Sequence, residues 1–477
     1  MLTRLRVQGF KSLLEIDVRF GPFTCIAGPN GAGKSNLFDA MRFLHLLTQH
    51  PIMEAAKLLR EAKGRSPEPR SLFTAFGDFR APEMRFTADL LIERKVEDDF
   101  GVDSSAAISA LRYTLAFRLA PEAQGTGRTR SPGENESERL ELALESLSPI
   151  TLDEARREMG FPARPGFKTS TISGRRVGDF ISTSPGEGGP QIKIHQEGHG
   201  GRTVAAPRST RTVVNGMASS DFPTILAVHR ELETWSTLLL EPSAMRAPSY
   251  YSDPRVLDSR GANLPGAIAR LCKGEVLEGQ TCAELANSLA NLIADVREIR
   301  IKDDEKTETL TLEARGKDGV FHRASSLSDG TLRFLVLATL AADPKVKGLL
   351  CLEEPENGIH PERIPALMRL LREIAVDPAR GTGEDNPLRQ VVISTHSPAI
   401  FNNINHDDLI YFIEGITTRG GATGRVTVSE VPPRSWRAKI QKDALPLSLG
   451  QVNSYIEAAR GNAQLLLGFD QPGADVA

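Results

Sequence analysis

The sequence predicts an α/β fold: a mixed sheet flanked by helices, joined to an antiparallel β lobe and interrupted by a helical and irregular insertion. Three observations carry this expectation. Residues 23–27 form an apolar run ending in a Gly-rich turn, and from Lys34 the period changes, with Leu37, Phe38, Met41 and Leu44 at helical spacings up to about His50. Residues 310–314, 346–352 and 391–395 are apolar runs of strand length with the helical stretch 331–342 among them, the pattern of a largely parallel sheet. Residues 84–92 and 111–119 alternate apolar and polar, as half-buried antiparallel strands do.

The other elements fall around these. Residues 2–7 and 13–20 alternate and read as two strands ahead of 23–27. Between 161 and 220 lie 10 Gly and 5 Pro, with 8 Lys or Arg against 3 acids. That composition predicts a poor core former and a surface insertion, and its local net charge of +5 makes it the candidate element to touch a phosphate backbone. Helical periodicity over 225–240 and 283–299 predicts a helical subdomain, and the C-terminal stretch holds strands at 409–413 and 425–431, a short helix near Tyr455 and a disordered tail.

Across 477 residues, 58 Lys and Arg oppose 61 Asp and Glu; the net charge of -3 excludes a globally basic nucleic-acid protein but not a local basic groove. Cys25, Cys272, Cys282 and Cys351 include no C-x-x-C pair, so neither a zinc site nor a disulfide framework is indicated, and a reducing compartment fits. The longest apolar run, 332–342, contains Arg333 and is far short of the roughly 20 residues that cross a bilayer. The first ten residues lack the apolar core of a signal peptide, so no membrane is expected and the expected address is the cytoplasm.

Four motifs carry chemistry. Gly28-Pro-Asn-Gly-Ala-Gly-Lys34-Ser35 matches the phosphate loop G-x-x-x-x-G-K-[ST] between a strand and a helix, where that loop must sit. Its candidate nucleotide-binding residues are Asn30, Gly31, Gly33, Lys34, Ser35 and Asn36; Lys34 supplies a cation to the β- and γ-phosphates and the Ser35 hydroxyl is a Mg²⁺ ligand. An apolar strand ends in Glu353-Glu354-Pro355, the form of a Walker B element. Adjacent strand residues face opposite ways, so Glu353 is the candidate to hold Mg²⁺ and Glu354 to polarise the attacking water. Ser328-Asp329-Gly330 opens a helix: Ser328 is a sound N-cap, and Ser with Gly at that place also makes an anion site. His396 closes the strand 391–395 on the edge where ligands gather in such sheets, a candidate γ-phosphate contact and catalytic residue.

In this order the motifs resemble the ABC-type head of P-loop NTPases found in SMC proteins, RecF and OLD-family ATPases. Gly9-Phe10-Lys11-Ser12 ahead of the phosphate loop, Leu327-Ser-Asp-Gly-Thr331, Glu353-Glu-Pro-Glu-Asn357-Gly-Ile-His360-Pro and Ser394-Thr-His396-Ser-Pro398 are most similar to the OLD/RecF-like branch. The resemblance implies a head split into residues 1–125 and 301–415, an insertion over 126–300 and an extension with tail over 416–477. It implies that Ser328 and Gly330 bind the γ-phosphate of ATP held by a second subunit, and that Asn357 and His360 form a D-loop across the dimer. Residues 76–78 stand where a Q-loop belongs but contain no Gln, and no heptad repeat suited to coiled-coil arms occupies 126–300.

The function so implied is a cytoplasmic, Mg²⁺-dependent ATPase that dimerises, or assembles further, around two ATP. It would act as a switch on DNA or on an effector, in anti-phage defence. Too few residues follow His396 for the Toprim nuclease domain of OLD proteins, so the nuclease or toxin is expected as a separate partner. The alternative is a RecF-like mediator of DNA repair and recombination that binds DNA in an ATP-dependent way. A transporter subunit, which would sediment with membranes, fits less well with the Gly-Phe-Lys-Ser element and the insertion.

Overall fold

The computed structural model describes residues 1–59, 68–120, 139–187, 189–195, 202–272, 296–316, 318–441, 444–448 and 450. Two large sheets meet over a shared core. The first has seven strands in the order Ser236–Leu238, Gly348–Glu353, Arg389–Thr395, Phe23–Ala27, Leu409–Arg419, Ala422–Val431 and Leu445–Pro446. Its first five strands run parallel, and Leu409–Arg419 turns back on Ala422–Val431 as a hairpin.

Parallel strands with both faces covered must be apolar on both, and here they are. In Phe23–Ala27 every residue is buried. Alternation sends Ile26, Leu349, Cys351 and Val392 to one core, beneath the helix Lys34–Gln49. It sends Phe23, Cys25, Leu350, Leu352, Val391 and Ile393 to a second core, beneath the helices Asp329–Ala342 and Ile364–Ile374. Gln390, fully buried between the sheets, satisfies its amide by accepting from Leu2 N–H at 2.9 Å and donating to Leu2 O at 2.7 Å and Gly21 O at 2.8 Å.

The second sheet is antiparallel and has eight strands, Arg202–Ala205, Gln191–Ile194, Ile181–Ser184, Leu140–Pro149, Ala110–Leu119, Met84–Leu91, Leu2–Phe10 and Leu13–Arg19. It packs on the helix Lys34–Gln49 through four buried rings: Phe43 lies 5.5 Å from Phe117, 5.6 Å from Phe86 and 6.4 Å from Phe10 between centroids.

The stretch 161–220 departs from its expected character as a poorly cored insertion. Three of its segments complete the antiparallel sheet, and Phe167, Phe180, Ile181, Ile192 and Ile194 are fully buried. Alternation in these short strands was masked by the surrounding Gly and charge. The stretch is also anchored to the neighbouring strand Leu140–Pro149. Glu145 accepts Tyr113 O–H at 2.8 Å, Val213 N–H at 2.7 Å and Val214 N–H at 3.1 Å, and burial pushes its pKa up to about 7. The boundary that the resemblance implied at 126 is not an edge of the sheet, whose strands pair across it, and Leu409–Arg419 runs through the boundary at 415.

One helical expectation changes, and another falls mostly outside the described residues. The periodic stretch 225–240 is the helix Pro223–Glu233 followed by the edge strand Ser236–Leu238. The stretch 283–299 lies outside the described residues up to 295, and beyond it Glu298–Asp304 is a strand paired with Thr309–Arg315. The expected helix near Tyr455 and the tail lie outside the described residues. Cys25 and Cys351 are buried free thiols, and Cys282 lies outside the described residues. Among the described residues no helix is long and apolar enough to cross a membrane.

The aromatic cluster generates one expectation for the fold. Phe43→Ala leaves a cavity where two sheets meet a helix and costs about 3–5 kcal/mol of stability, read as a lower urea midpoint with an unchanged slope.

Candidate functional site

The parallel strands all point their carboxyl ends to one edge, and the phosphate loop, the Walker B acids and His396 meet there. The loop after Phe23–Ala27 begins at Gly28 in a left-handed conformation, φ +152°, where a Cβ would stand 2.2 Å from Phe412 O. Only glycine lets the loop start so close to the neighbouring strand. Pro29, Asn30 and Gly31 form an exposed tip. Lys34 is 7% exposed, and its ammonium donates to Gly28 O at 2.7 Å and Pro29 O at 2.8 Å. Burial pulls its pKa down, while the nearby Glu354, Glu356 and Glu353 work the other way. The cation is thus held inside its own loop by carbonyls that a phosphate can replace.

Ser35 is exposed at the first turn of the helix, and its hydroxyl stands 3.4 Å from Glu353 Oε2. One hydroxyl and one carboxylate, both oxygen donors and open to water, fit a hard divalent cation that keeps most of its hydration shell. Asn36 turns elsewhere: its amide donates to Ser12 Oγ at 2.7 Å.

Glu353 ends its strand, and Glu354 lies beyond it in a left-handed backbone conformation, φ +46°. The separation of the two carboxylates thus comes from a strained turn rather than from strand alternation alone. The turn is held by Glu354 N–H donating to Ser394 O at 2.8 Å. Glu354 Oε1 lies 2.5 Å from His396 Nδ1, and its Oε2 accepts Asn357 Nδ2 at 2.9 Å. Glu354 and His396, from two strands, are brought into one pair. Asn357, expected to reach across a dimer, bonds within its own chain.

Beneath this pair Glu356, 7% exposed, accepts the Thr395 hydroxyl, and Thr395 Oγ1 accepts Ser397 N–H at 2.8 Å. Burial pushes the Glu356 pKa up. These residues tie the turn after Glu354 to the turn after His396.

Ser328 caps the helix Asp329–Ala342, accepting Thr331 N–H at 3.2 Å. Gly330 passes so close to the next turn that a Cβ would lie 2.8 Å from Gly358 O. Ser328, Gly330, Gly358, His360 and Arg363 line a cavity of about 400 Å³ whose walls include no residue of the phosphate loop. Asp329 is held 2.5 Å from Arg246, which also donates to Leu327 O at 3.0 Å. Sequence reasoning missed Arg246, which no local pattern marks, and gave no role to Glu356 and Thr395, which stand inside the quoted motifs but whose mutual bond is a long-range contact. Phe76 and Phe79, in the Q-loop region, form their own ring pair at 4.8 Å on a short hairpin against Ala422–Val431.

Comparison with known proteins bears on both ends of the chain. Residues 1–61 match the family model described as "RecF/RecN/SMC N terminal domain", and residues 273–402 match "AAA domain, putative AbiEii toxin, Type IV TA system". Similar proteins include the chromosome partition protein Smc of Rhodopseudomonas palustris, 36% identical over 112 residues, 21% of this chain and 10% of that protein. The OLD nuclease of Thermus scotoductus is 51% identical over 41 residues, 9% of this chain and 8% of its own. The DNA replication and repair protein RecF of Paenarthrobacter aurescens is 38% identical over 60 residues, 12% of this chain and 15% of its own. The chain thus spans only a small fraction of these relatives. Among solved structures, an Smc head bound to the C-terminal winged-helix domain of ScpA is 14% identical with a TM-score of 0.45, covering 90% of this chain and 98% of that one. The SMC head domain from Thermotoga maritima is 15% identical with a TM-score of 0.35 over the same shares. With one family model on the phosphate loop and the other on the signature, Walker B and His396 elements, the motif-bearing segments of the chain are similar to SMC, RecF and OLD proteins.

Proposed function

We propose that this chain binds and hydrolyses ATP with Mg²⁺, closes head to head with a second copy around two ATP, and uses that closure as a switch on a partner effector or on DNA. The observation that carries the reading is the division of the motifs into two faces. Lys34, Ser35, Glu353, Glu354 and His396 gather on one, while Ser328, Gly330 and His360 line a separate cavity without the phosphate loop.

Each residue then has a task. Backbone N–H groups of the loop and Lys34 grip the phosphates, with Lys34 exchanging Gly28 O and Pro29 O for phosphate oxygens. Ser35 and Glu353 would hold Mg²⁺, which when bound offsets charge on the β- and γ-phosphates. Glu354 aligns a water and accepts its proton as the water oxygen bonds to the γ-phosphorus and the bond to the β–γ bridging oxygen breaks, releasing ADP and phosphate. His396 would orient Glu354 through their 2.5 Å contact and reach the γ-phosphate once ATP is bound. Ser328 and Gly330 at a helix start, with His360 beside them, complete the partner's site, so ATP favours the closed pair and hydrolysis the open one.

A cytoplasmic role in anti-phage defence, with a nuclease or toxin as effector, is the use we favour, supported by the matched stretch of an OLD nuclease and the family description over 273–402. The matched RecF stretch supports a second use, ATP-timed assembly on DNA during repair. Lys193 and Arg202, exposed on two strands at the sheet edge, are the candidate contacts for a phosphate backbone.

Light scattering with and without ATP tests the switch. Glu354→Gln, which loses the proton acceptor but not the loop, should abolish turnover and accumulate as a dimer with ATP; a variant that binds ATP and stays monomeric overturns head-to-head closure. What co-purifies with that trapped form separates an effector from repair proteins. Lys34→Ala should weaken ATP binding about 10- to 100-fold, the loss of one charge-assisted contact, in a nucleotide titration. Ser328→Arg should bind ATP normally yet neither dimerise nor turn over, and normal turnover would remove the role across the dimer.

A further inference from the structure

The C-terminal hairpin, Leu409–Arg419 with Ala422–Val431, has no part in the motif-based site, yet it braces both ends of the phosphate loop. At the first end, Phe412 O occupies the space a side chain at Gly28 would need. At the second, Gly33 adopts φ +92°, and a Cβ there would lie 1.8 Å from Thr427 Oγ1 and 2.7 Å from Ser12 Oγ. The residue before Lys34 therefore rests against the Thr427 side chain. Thr427 is 3% exposed, its hydroxyl is 2.6 Å from that of Ser12, and its N–H donates to Ser12 O at 2.9 Å. Ser12 Oγ in turn accepts the amide of Asn36, the residue after Ser35, at 2.7 Å. The chain of contacts Thr427–Ser12–Asn36 joins the C-terminal hairpin, the N-terminal lobe and the first turn of the phosphate-loop helix.

We propose that Thr427 is a positioning residue of the phosphate loop, so that the C-terminal hairpin is a working part of the nucleotide site; this rests on the nucleotide reading of the loop. A loop that binds phosphate through backbone N–H groups works best when those groups already point inward, because ordering them on binding subtracts from affinity. Gly31 and Gly33 leave this loop little intrinsic stiffness. The hairpin supplies it from outside, through a carbonyl at one end and a hydroxyl pair at the other. Shape alone does not explain Thr427. A valine would fill the same space, whereas the hydroxyl partners a half-buried serine that would otherwise lose a hydrogen bond.

The test compares Thr427→Val and Thr427→Ser with the wild-type full chain, using a fluorescent ATP analogue with Mg²⁺ and, without nucleotide, hydrogen exchange of the amides over 31–37. Valine should weaken analogue binding about tenfold while the turnover of bound ATP changes less than about twofold, and should speed exchange over 31–37 but not over 348–353. Serine, which restores the hydroxyl, should return both readouts to within about twofold of wild type. Unchanged binding and exchange in the valine variant overturns the proposal, as does a serine variant that folds but restores neither. Ser12→Ala removes the same pair from the other side, and should reproduce the valine result if Thr427→Val does not fold. A wild-type chain that binds no analogue refutes the nucleotide reading instead, while faster exchange in the valine variant still reports the brace.

Discussion

The parallel grip on the strand Phe23–Ala27 is the constraint on which the rest of the molecule depends. This strand near the N-terminus is held between Arg389–Thr395 and Leu409–Arg419, from the far end of the chain, with Phe23 opposite Val391 and Cys25 opposite Leu409. Until that grip forms, the phosphate loop has no floor, the helix after it has no core to cover, and the carboxylates have no loop to face. Gln390 reinforces the grip by bonding Leu2 and Gly21 at once. A buried amide with all these contacts made specifies register, since a shifted pairing would leave polar groups unpaired in an apolar interior.

From this grip the site inherits its electrostatics. Glu353, Glu354 and Glu356 sit at the same sheet edge as Lys34, and their field opposes, without outweighing, the burial that pulls its pKa down. The protein divides the three carboxylates by environment rather than by distance. Glu353 meets a hydroxyl at the open mouth, Glu354 is turned by a left-handed residue toward His396, and Glu356 is buried on Thr395. Neighbouring acids in sequence thereby hold different partners and are free for different tasks.

Much of the site was legible because its motifs are local. A glycine-rich spacing between strand and helix, or an apolar strand ending in acids, is complete within ten residues, so Lys34, Ser35, Glu353, Glu354 and His396 could be named before any contact was known. Arg246 behind Asp329 and Thr427 against Gly33 touch motif residues but lie in unremarkable surroundings, and nothing local marks them. Composition misread the stretch 161–220 for a related reason. Glycine and charge dominate its average, while what builds the lobe is a few alternating isoleucines and a buried glutamate one strand away.

The sequence by itself determined the class of the fold, the position of most main strands along the chain and the phosphate-loop motif, because periodicity and short motifs depend on neighbours along the chain. Only the tertiary structure decided that Glu354 pairs with His396, that the irregular stretch completes a sheet, and that a C-terminal hairpin braces the loop. Those outcomes rest on close approaches between residues hundreds of positions apart, where glycine, a carbonyl or a hydroxyl matters only once the partner backbone has arrived.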